Sequence, residues 1–382
     1  MIPFNKPYST GNELDFFQDV IKKHKFSGNG IYTQLCHNFF TEKYNFEKCL
    51  LTTSCTSALE MCAILLNIQA GDEVIVPSYA FVSTALAFVK QGVSIVFADS
   101  SHNNPNVDPE SIESKITDKT KAIVIVHYAG FACEMDRIVA IANKHNLYIV
   151  EDAAHAIDSY YISPTTNKKS ILGSIGDLAT FSFHETKNIQ CGEGGLLVIN
   201  NKKLIYRSEI IWEKGTNRSE FFRGEVNKYQ WVDYGSSFLP SEYIAAALYA
   251  QLINLEKIQQ RRIEIWNIYN DGLKNLKNIA IHKIENYSTN NAHMFYLICN
   301  SIDERDRLIA WMKIKGVHLV FHYLSLHKSK FCEKYNKESY ISELPMSDFY
   351  SDRLVRLPLY YELSNEEVTQ IVTLIKEYYY NR

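Results

Sequence analysis

Between residues 48 and 200, short apolar runs alternate with stretches of helical spacing. The runs Leu50 to Thr53, Glu73 to Val76, Ser94 to Phe97, Ala122 to Val126, Leu147 to Val150, Leu178 to Phe183 and Gly195 to Ile199 are short and largely apolar, several of them rich in β-branched residues. That pattern marks strands buried on both faces. Helices are predicted over Thr56 to Leu66, Val82 to Lys90 and Met135 to His145. Buried strands alternating with helices give a largely parallel sheet covered on both sides, an α/β domain whose ligands sit at the carboxyl ends of the strands.

The pattern changes after residue 240. Ser241 to Asn270 contains neither Gly nor Pro and reads as one long helix connecting two domains. Beyond it come a strand (Met294 to Cys299), a helix (Asp303 to Lys315), a strand (Val317 to His322) and a last helix (Asn365 to Tyr379), the order of a small α+β domain. The expected division is a large α/β domain with an N-terminal segment over 1–250, then a connector helix and small domain over 251–382. The stretch Ser325 to Asp348 is polar and weakly periodic, and reads as loose.

Composition narrows the function. In 382 residues, 40 Lys and Arg face 43 Asp and Glu, a net charge of −3, which argues against nucleic-acid or membrane-surface partners. The N-terminus lacks the layout of a signal peptide. The most apolar stretch, Val74 to Val89, contains Pro77 and several hydroxyl residues and falls short of the roughly 20 residues that span a bilayer. Eight cysteines at 36, 49, 55, 62, 133, 191, 299 and 332 form no C-x-x-C pair and accompany no histidine cluster, so reduced thiols in a cytoplasmic protein without a metal are expected. Most of the 25 Tyr and 20 Phe are expected in the core, with a minority lining a ligand pocket.

The chemistry centres on an acid and a lysine. Leu147-Tyr148-Ile149-Val150-Glu151-Asp152 places Asp152 just past an apolar strand, and Phe181-Ser182-Phe183-His184-Glu185-Thr186-Lys187 breaks from a strand into a loop carrying Lys187. Pyridoxal 5'-phosphate (PLP) requires this pair: an amine to bond its aldehyde and a carboxylate to keep its ring nitrogen protonated. Its phosphate suits a helix N-terminus with small hydroxyl residues. Ser54-Cys55-Thr56-Ser57 supplies one, with Thr56 and Ser57 as donors and Ser182 as a third. Phe81, after the run ending at Val76, is the candidate to stack on the ring. Gly192-Glu193-Gly194-Gly195 predicts a tight turn near the site and lacks the G-x-G-x-x-G form of a dinucleotide fold.

These motifs, Val150-Glu151-Asp152-Ala153-Ala154-His155 and Ser182-Phe183-His184-Glu185-Thr186-Lys187-Asn188 above all, resemble the DegT/StrS sugar-nucleotide aminotransferases nearly end to end. The resemblance implies the PLP-dependent transferase fold type I, with a mainly parallel seven-stranded sheet and a small C-terminal α+β domain. It implies that Lys187 bonds the cofactor aldehyde, Asp152 pairs with the ring nitrogen, His155 contacts the ring hydroxyl, Thr56, Ser57 and Ser182 hold the phosphate, and Phe81 stacks. Within the group, Pro77 to Thr84, His127 to Gly130, Lys214 to Ser219, Phe221 to Gly224, Asn291 to Tyr296 and Phe321 to Tyr323 are similar to the transaminases that form dTDP-4-amino-4,6-dideoxygalactose. That similarity implies dTDP-4-keto-6-deoxyglucose as acceptor, L-glutamate as donor with 2-oxoglutarate as product, and a role in lipopolysaccharide or other surface-glycan synthesis. It also implies a homodimer with shared active sites, with Lys214, Arg218, Arg223, His322 and Tyr323 as candidate substrate contacts.

Two positions depart from the group. Ser237, in Gly235-Ser236-Ser237-Phe238, stands where many relatives carry an Asn that reaches the cofactor phosphate of the second subunit, and Ser325 stands where proline is usual. Lys187 itself argues against the dehydratases of the group, which carry histidine there. Three other readings stay open: amination at C3 or with the gluco configuration at C4, a PLP enzyme acting on a plain amino acid, and a sensor that has lost turnover.

Overall fold

The computed structural model describes residues 1–277, 279–336 and 342–380. Seven strands form the main sheet: β1 (Lys48–Thr52), β2 (Glu73–Pro77), β3 (Ser94–Ala98), β4 (Thr120–Val126), β5 (Tyr148–Asp152), β8 (Leu178–Ser182) and β9 (Gly195–Ile199). The hairpin β6 (Tyr160–Ile162) and β7 (Lys169–Ile171) stands apart from them. The spatial order is β1-β9-β8-β5-β4-β2-β3. The run from β8 to β3 is parallel, and β9 runs against both its neighbours. The architecture is the α/β class with a largely parallel sheet that the apolar runs predict.

Alternation along each strand splits the apolar side chains between two cores, because successive residues point to opposite faces. Leu51, Ile75, Ile123, Ile149 and Leu196 enter one core, while Leu50, Val74, Val124, Val150 and Leu197 enter the other. The second core is closed by the helices Cys55–Leu65 and Val82–Val89.

The same alternation separates the two acids at the end of β5. Glu151 falls on the first face and is wholly buried. Its Oε2 accepts from His127 Nε2 at 2.9 Å and Gly173 N at 2.8 Å, and its Oε1 from Ile175 N at 2.7 Å and Gly176 N at 2.6 Å. Cys133 N donates to His127 Nδ1 at 3.2 Å, which leaves the ring proton on Nε2. Burial pushes the Glu151 carboxyl up, but the His127 contact and the Gly176 and Gly173 amides outweigh it and hold the group below its usual range. Asp152, one residue on, faces the helices of the second core instead.

A second, antiparallel sheet has the order β10-β11-β13-β12, with β10 (Ala280–Ile281), β11 (Phe295–Ile298), β12 (Val320–Phe321) and β13 (Leu354–Leu357). The helices Leu255–Leu273 and Asn365–Tyr380 share its core. The expected single helix from Ser241 to Asn270 is two, Glu242–Leu252 and Leu255–Leu273. The break falls at Asn254, whose Nδ2 donates to Ala250 O at 2.9 Å and competes with the backbone for that carbonyl. The polar stretch Ser325 to Asp348 holds helices Lys330–Tyr335 and Pro345–Arg353, while residues 337–341 lie outside the described residues. No described helix is long and apolar enough to cross a membrane.

Replacing Glu151 by Ala strands four buried donors and should lower the unfolding free energy by about 3–5 kcal/mol, read by urea denaturation. In the wild type this contribution is full above the unfolded-state pKa of about 4.3 and is lost as pH falls through the depressed folded value. A loss in the variant of less than about 1 kcal/mol would contradict the role assigned to this carboxylate.

Candidate active site

The strand ends collect at one edge of the main sheet. The chain leaves β1 at Thr52, turns, and opens the helix Cys55–Leu65, with Ser54 extended at the N-cap and its Oγ accepting from Ser57 N at 3.1 Å. β9 starts at this same edge because it runs the other way. A Cβ on Gly195 would lie 2.4 Å from the Ser54 carbonyl carbon and 2.5 Å from Cys55 N, so only glycine lets β9 approach this turn. Gly192 takes a positive φ of 78° as the chain reverses before it, which accounts for the glycine run.

A cavity of about 640 Å³ opens here, walled by Ser54, Cys55, Thr56, Phe81, Thr84, Asp152, His155, Ser182, Lys187, His293, His322, Tyr323 and Arg356 among others. Asp152 projects from the end of β5. Its Oδ2 accepts from Thr84 Oγ1 at 2.7 Å and its Oδ1 from Ala154 N at 3.2 Å, and no cation pairs with it among the described residues. Burial raises its pKa, while the Thr84 and Ala154 hydrogen bonds and the Lys187 charge pull it back. Lys187 follows a turn in which its N–H donates to His184 O at 2.9 Å. Burial pushes its amine down to about 8, with Cys55 and Asp152 opposing the shift. The next residue anchors the loop: Asn188 Nδ2 donates to Gln259 Oε1 and to Asn291 O, both at 2.8 Å, and its Oδ1 meets His293 Nδ1 at 2.8 Å.

The second sheet supplies the opposite wall. His293 precedes β11, while His322 and Tyr323 follow β12. His155 stacks on His293 with centroids 4.3 Å apart, and its Nε2 meets the Tyr323 hydroxyl at 3.2 Å. His322 Nδ1 meets the Tyr128 hydroxyl at 2.7 Å. Burial, reinforced by the Lys187 and Arg356 charges, holds all three histidines well below their usual pKa, so their rings are neutral. Phe81 is 55% exposed, with its ring open to the cavity.

Among the residues singled out from the sequence, Thr56, Phe81, Asp152, His155, Ser182, Lys187, His322 and Tyr323 therefore share one cavity. Ser57 stands just outside its lining, with its hydroxyl 2.9 Å from Thr53 Oγ1 and 3.0 Å from Ser54 Oγ. The structure does not bring Lys214, Arg218, Arg223 or Ser237 to this cavity within one chain. All four are exposed, Arg218 lying 3.8 Å from Glu213 and Arg223 paired with Glu209 and Glu225. Ser325 is buried, with Leu326 N beside it donating to Ser78 O at 2.9 Å. Three contributors escaped the sequence reading: Thr84, His293 and Arg356. Thr84 and His293 lie in segments that carried the resemblance, without a role of their own, and the signal of Arg356 is a charge inside the apolar run of β13.

The donor set fits PLP. A helix N-terminus with hydroxyl side chains suits its phosphate, a buried carboxylate without a cation suits its protonated nitrogen, and a buried amine of lowered pKa suits its aldehyde.

Comparison with known proteins agrees. Residues 7–376 match the DegT/DnrJ/EryC1/StrS aminotransferase family, and the chain belongs to it. It is 30% identical over 383 residues to the GDP-perosamine synthase of Escherichia coli O157:H7, covering 99% of this chain and 98% of that protein. The crystal structure of an aminotransferase from Psychrobacter cryohalolentis superposes with a TM-score of 0.91 at 26% identity, over 99% of both chains. The PLP form of the sugar aminotransferase Spr1654 from Streptococcus pneumoniae superposes at 0.88 and 24% identity, over 98% of this chain and 99% of that one. The protein is a PLP-dependent sugar aminotransferase.

The lowered pKa of Lys187 has a direct consequence. Only the neutral amine attacks an aldehyde, so PLP uptake by the cofactor-free protein, trapped with borohydride and located by peptide mass, should label Lys187 with a midpoint near pH 8. A midpoint near the ordinary lysine value of about 10.4 would contradict the burial argument.

Proposed function

We propose, on the premise that this chain belongs to the DegT/DnrJ/EryC1/StrS aminotransferase family, that it aminates dTDP-4-keto-6-deoxy-D-glucose with L-glutamate. The products are dTDP-4-amino-4,6-dideoxy-D-galactose and 2-oxoglutarate. The observation that carries the reading is the gathering of Lys187, Asp152, Phe81 and the Ser54–Thr56 helix start around one cavity. The similarity of the Lys214 to Ser219 and Phe321 to Tyr323 segments to transaminases of that product supports the choice of sugar.

In this reading Thr56, Ser57 and Ser182 serve the cofactor phosphate, Phe81 covers the ring, His155 faces the ring hydroxyl and Asp152 keeps the ring nitrogen protonated. PLP supplies a carrier for the amino group and a ring that accepts the electron pair left when a proton departs. Lys187 Nζ takes the proton from the donor α-carbon and later returns one to the sugar carbon. Its lowered pKa leaves a useful fraction of free amine near neutrality. His322 and Tyr323 bound the side where the sugar enters.

Lys214, Arg218, Arg223 and Ser237 belong, in the same reading, to the cavity of a second subunit. An exposed aromatic surface on that stretch supports this: Trp231 is 81% exposed, Tyr234 78% and Phe222 66%. Aromatic surface of this extent marks an interface.

A second acceptor class stays in view because one relative is named for a GDP-linked sugar. The test offers purified enzyme glutamate with dTDP- and GDP-linked 3-keto and 4-keto sugars and reads each product by NMR. Amination only at C3, only with the gluco configuration, or only on a GDP carrier overturns the assignment of substrate. Asp152→Asn should retain PLP and slow turnover by on the order of 10² to 10⁴, at about 1.4 kcal/mol per decade. An unchanged rate would mean that another group protonates the ring. Trp231→Glu should convert a dimer to the 44.1 kDa chain in sedimentation, and a monomeric, active wild type would remove the shared-site reading.

A further inference from the structure

Arg356 is a half-buried cation without an ion-pair partner among the described residues. It lies in β13, where its neighbours Val355 and Leu357 are core residues, and its backbone pairs with Tyr296 and Val320. Its Nε is sealed from solvent and meets no acceptor, and no carboxylate lies within ion-pair distance among the described residues. The face of Phe4 lies 4.7 Å from the guanidinium carbon.

The two buried arginines of the same domain differ. Arg262 donates to Ala292 O and His293 O, and Arg305 donates to Ser351 O and Asp306. A guanidinium partly withdrawn from water without an anion is costly, and it is a fork shaped for a bidentate anion.

We infer that Arg356 holds a carboxylate of the amino donor, a deepening that rests on the aminotransferase reading above. Its place in the cavity decides between the anions that enter. Arg356 lines the same cavity as Lys187, on the side of His322 and Tyr323, so it faces the place where the reacting carbon must lie. In a 2-amino acid the carboxylate is bonded directly to that carbon. In a nucleotide-linked 4-keto sugar the diphosphate is separated from it by the pyranose ring, too far to share this corner. The Arg356 charge also reaches the Lys187 amine and helps lower its pKa, in keeping with that proximity. The keto sugar then offers this arginine only hydroxyl groups, so its loss weighs on one half of the reaction.

The experiment measures the two halves separately in PLP-loaded protein. Cofactor absorbance follows amine uptake from L-glutamate, and amine transfer to the keto sugar is followed from the aminated enzyme. Arg356→Gln should cut kcat/KM for glutamate by on the order of 10²-fold or more, mostly through KM. The sugar half should change by less than about threefold, and Arg356→Lys should recover part of the loss. Binding of glutarate, an unreactive dicarboxylate, measured by calorimetry, should weaken in the same order. Equal loss in both halves, or unchanged glutamate and glutarate affinity, overturns the inference while leaving the aminotransferase intact. A wild-type enzyme that takes no amino group from glutamate overturns the reading beneath it as well. Should Arg356→Gln not fold, the Lys variant and the glutarate titration decide alone.

Discussion

A carboxylate and an amine are buried at the same sheet edge without neutralising each other, and the surrounding structure is built to hold them that way. Asp152 has two hydrogen-bond donors and no paired cation, and Lys187 has no paired anion among the described residues. Direct contact would satisfy both charges and leave neither for a ligand. The structure keeps them on separate supports: Asp152 on a central strand with Thr84 behind it, Lys187 on a loop pinned through Asn188 to Gln259, Asn291 and His293. A cofactor that carries a cationic nitrogen at one end and an aldehyde at the other resolves the frustration.

The adjacent acids on β5 show how a one-residue shift divides structure from chemistry. Glu151 faces inward, takes four donors and is held ionised as a structural anion. Asp152 faces the helix-covered side, where the N-terminus of Cys55–Leu65 and Phe81 also lie, and is left under-satisfied. Strand alternation alone directs one to the fold and the other to the site.

The second sheet completes the cavity. Its strand ends bring two neutral histidines, His293 and His322, with Tyr323 and Arg356, to the cavity, where they meet the neutral His155 of the main sheet. Neutral imidazoles accept and donate hydrogen bonds without adding charge, so the positive potential in the cavity comes from Arg356 and Lys187.

The sequence alone determined the alternating runs of the main sheet, the acid at the end of β5, the lysine in the loop after β8 and the glycines beside the phosphate turn. Each depends on contacts within a strand–turn–helix segment, and local pattern therefore reports it. Tertiary structure decided the rest. Thr84 and His293 matter because of what packs against them from far along the chain, and the break at Asn254 depends on a side chain turning back onto its own helix. Arg356 passed unnoticed in the sequence, and only the fold brought it into the cavity of Lys187, 169 residues away in the chain. Lys214, Arg218, Arg223 and Ser237 look like site residues in sequence yet lie on the surface of a single chain, since a motif carries no information about which distant segments its side chains meet.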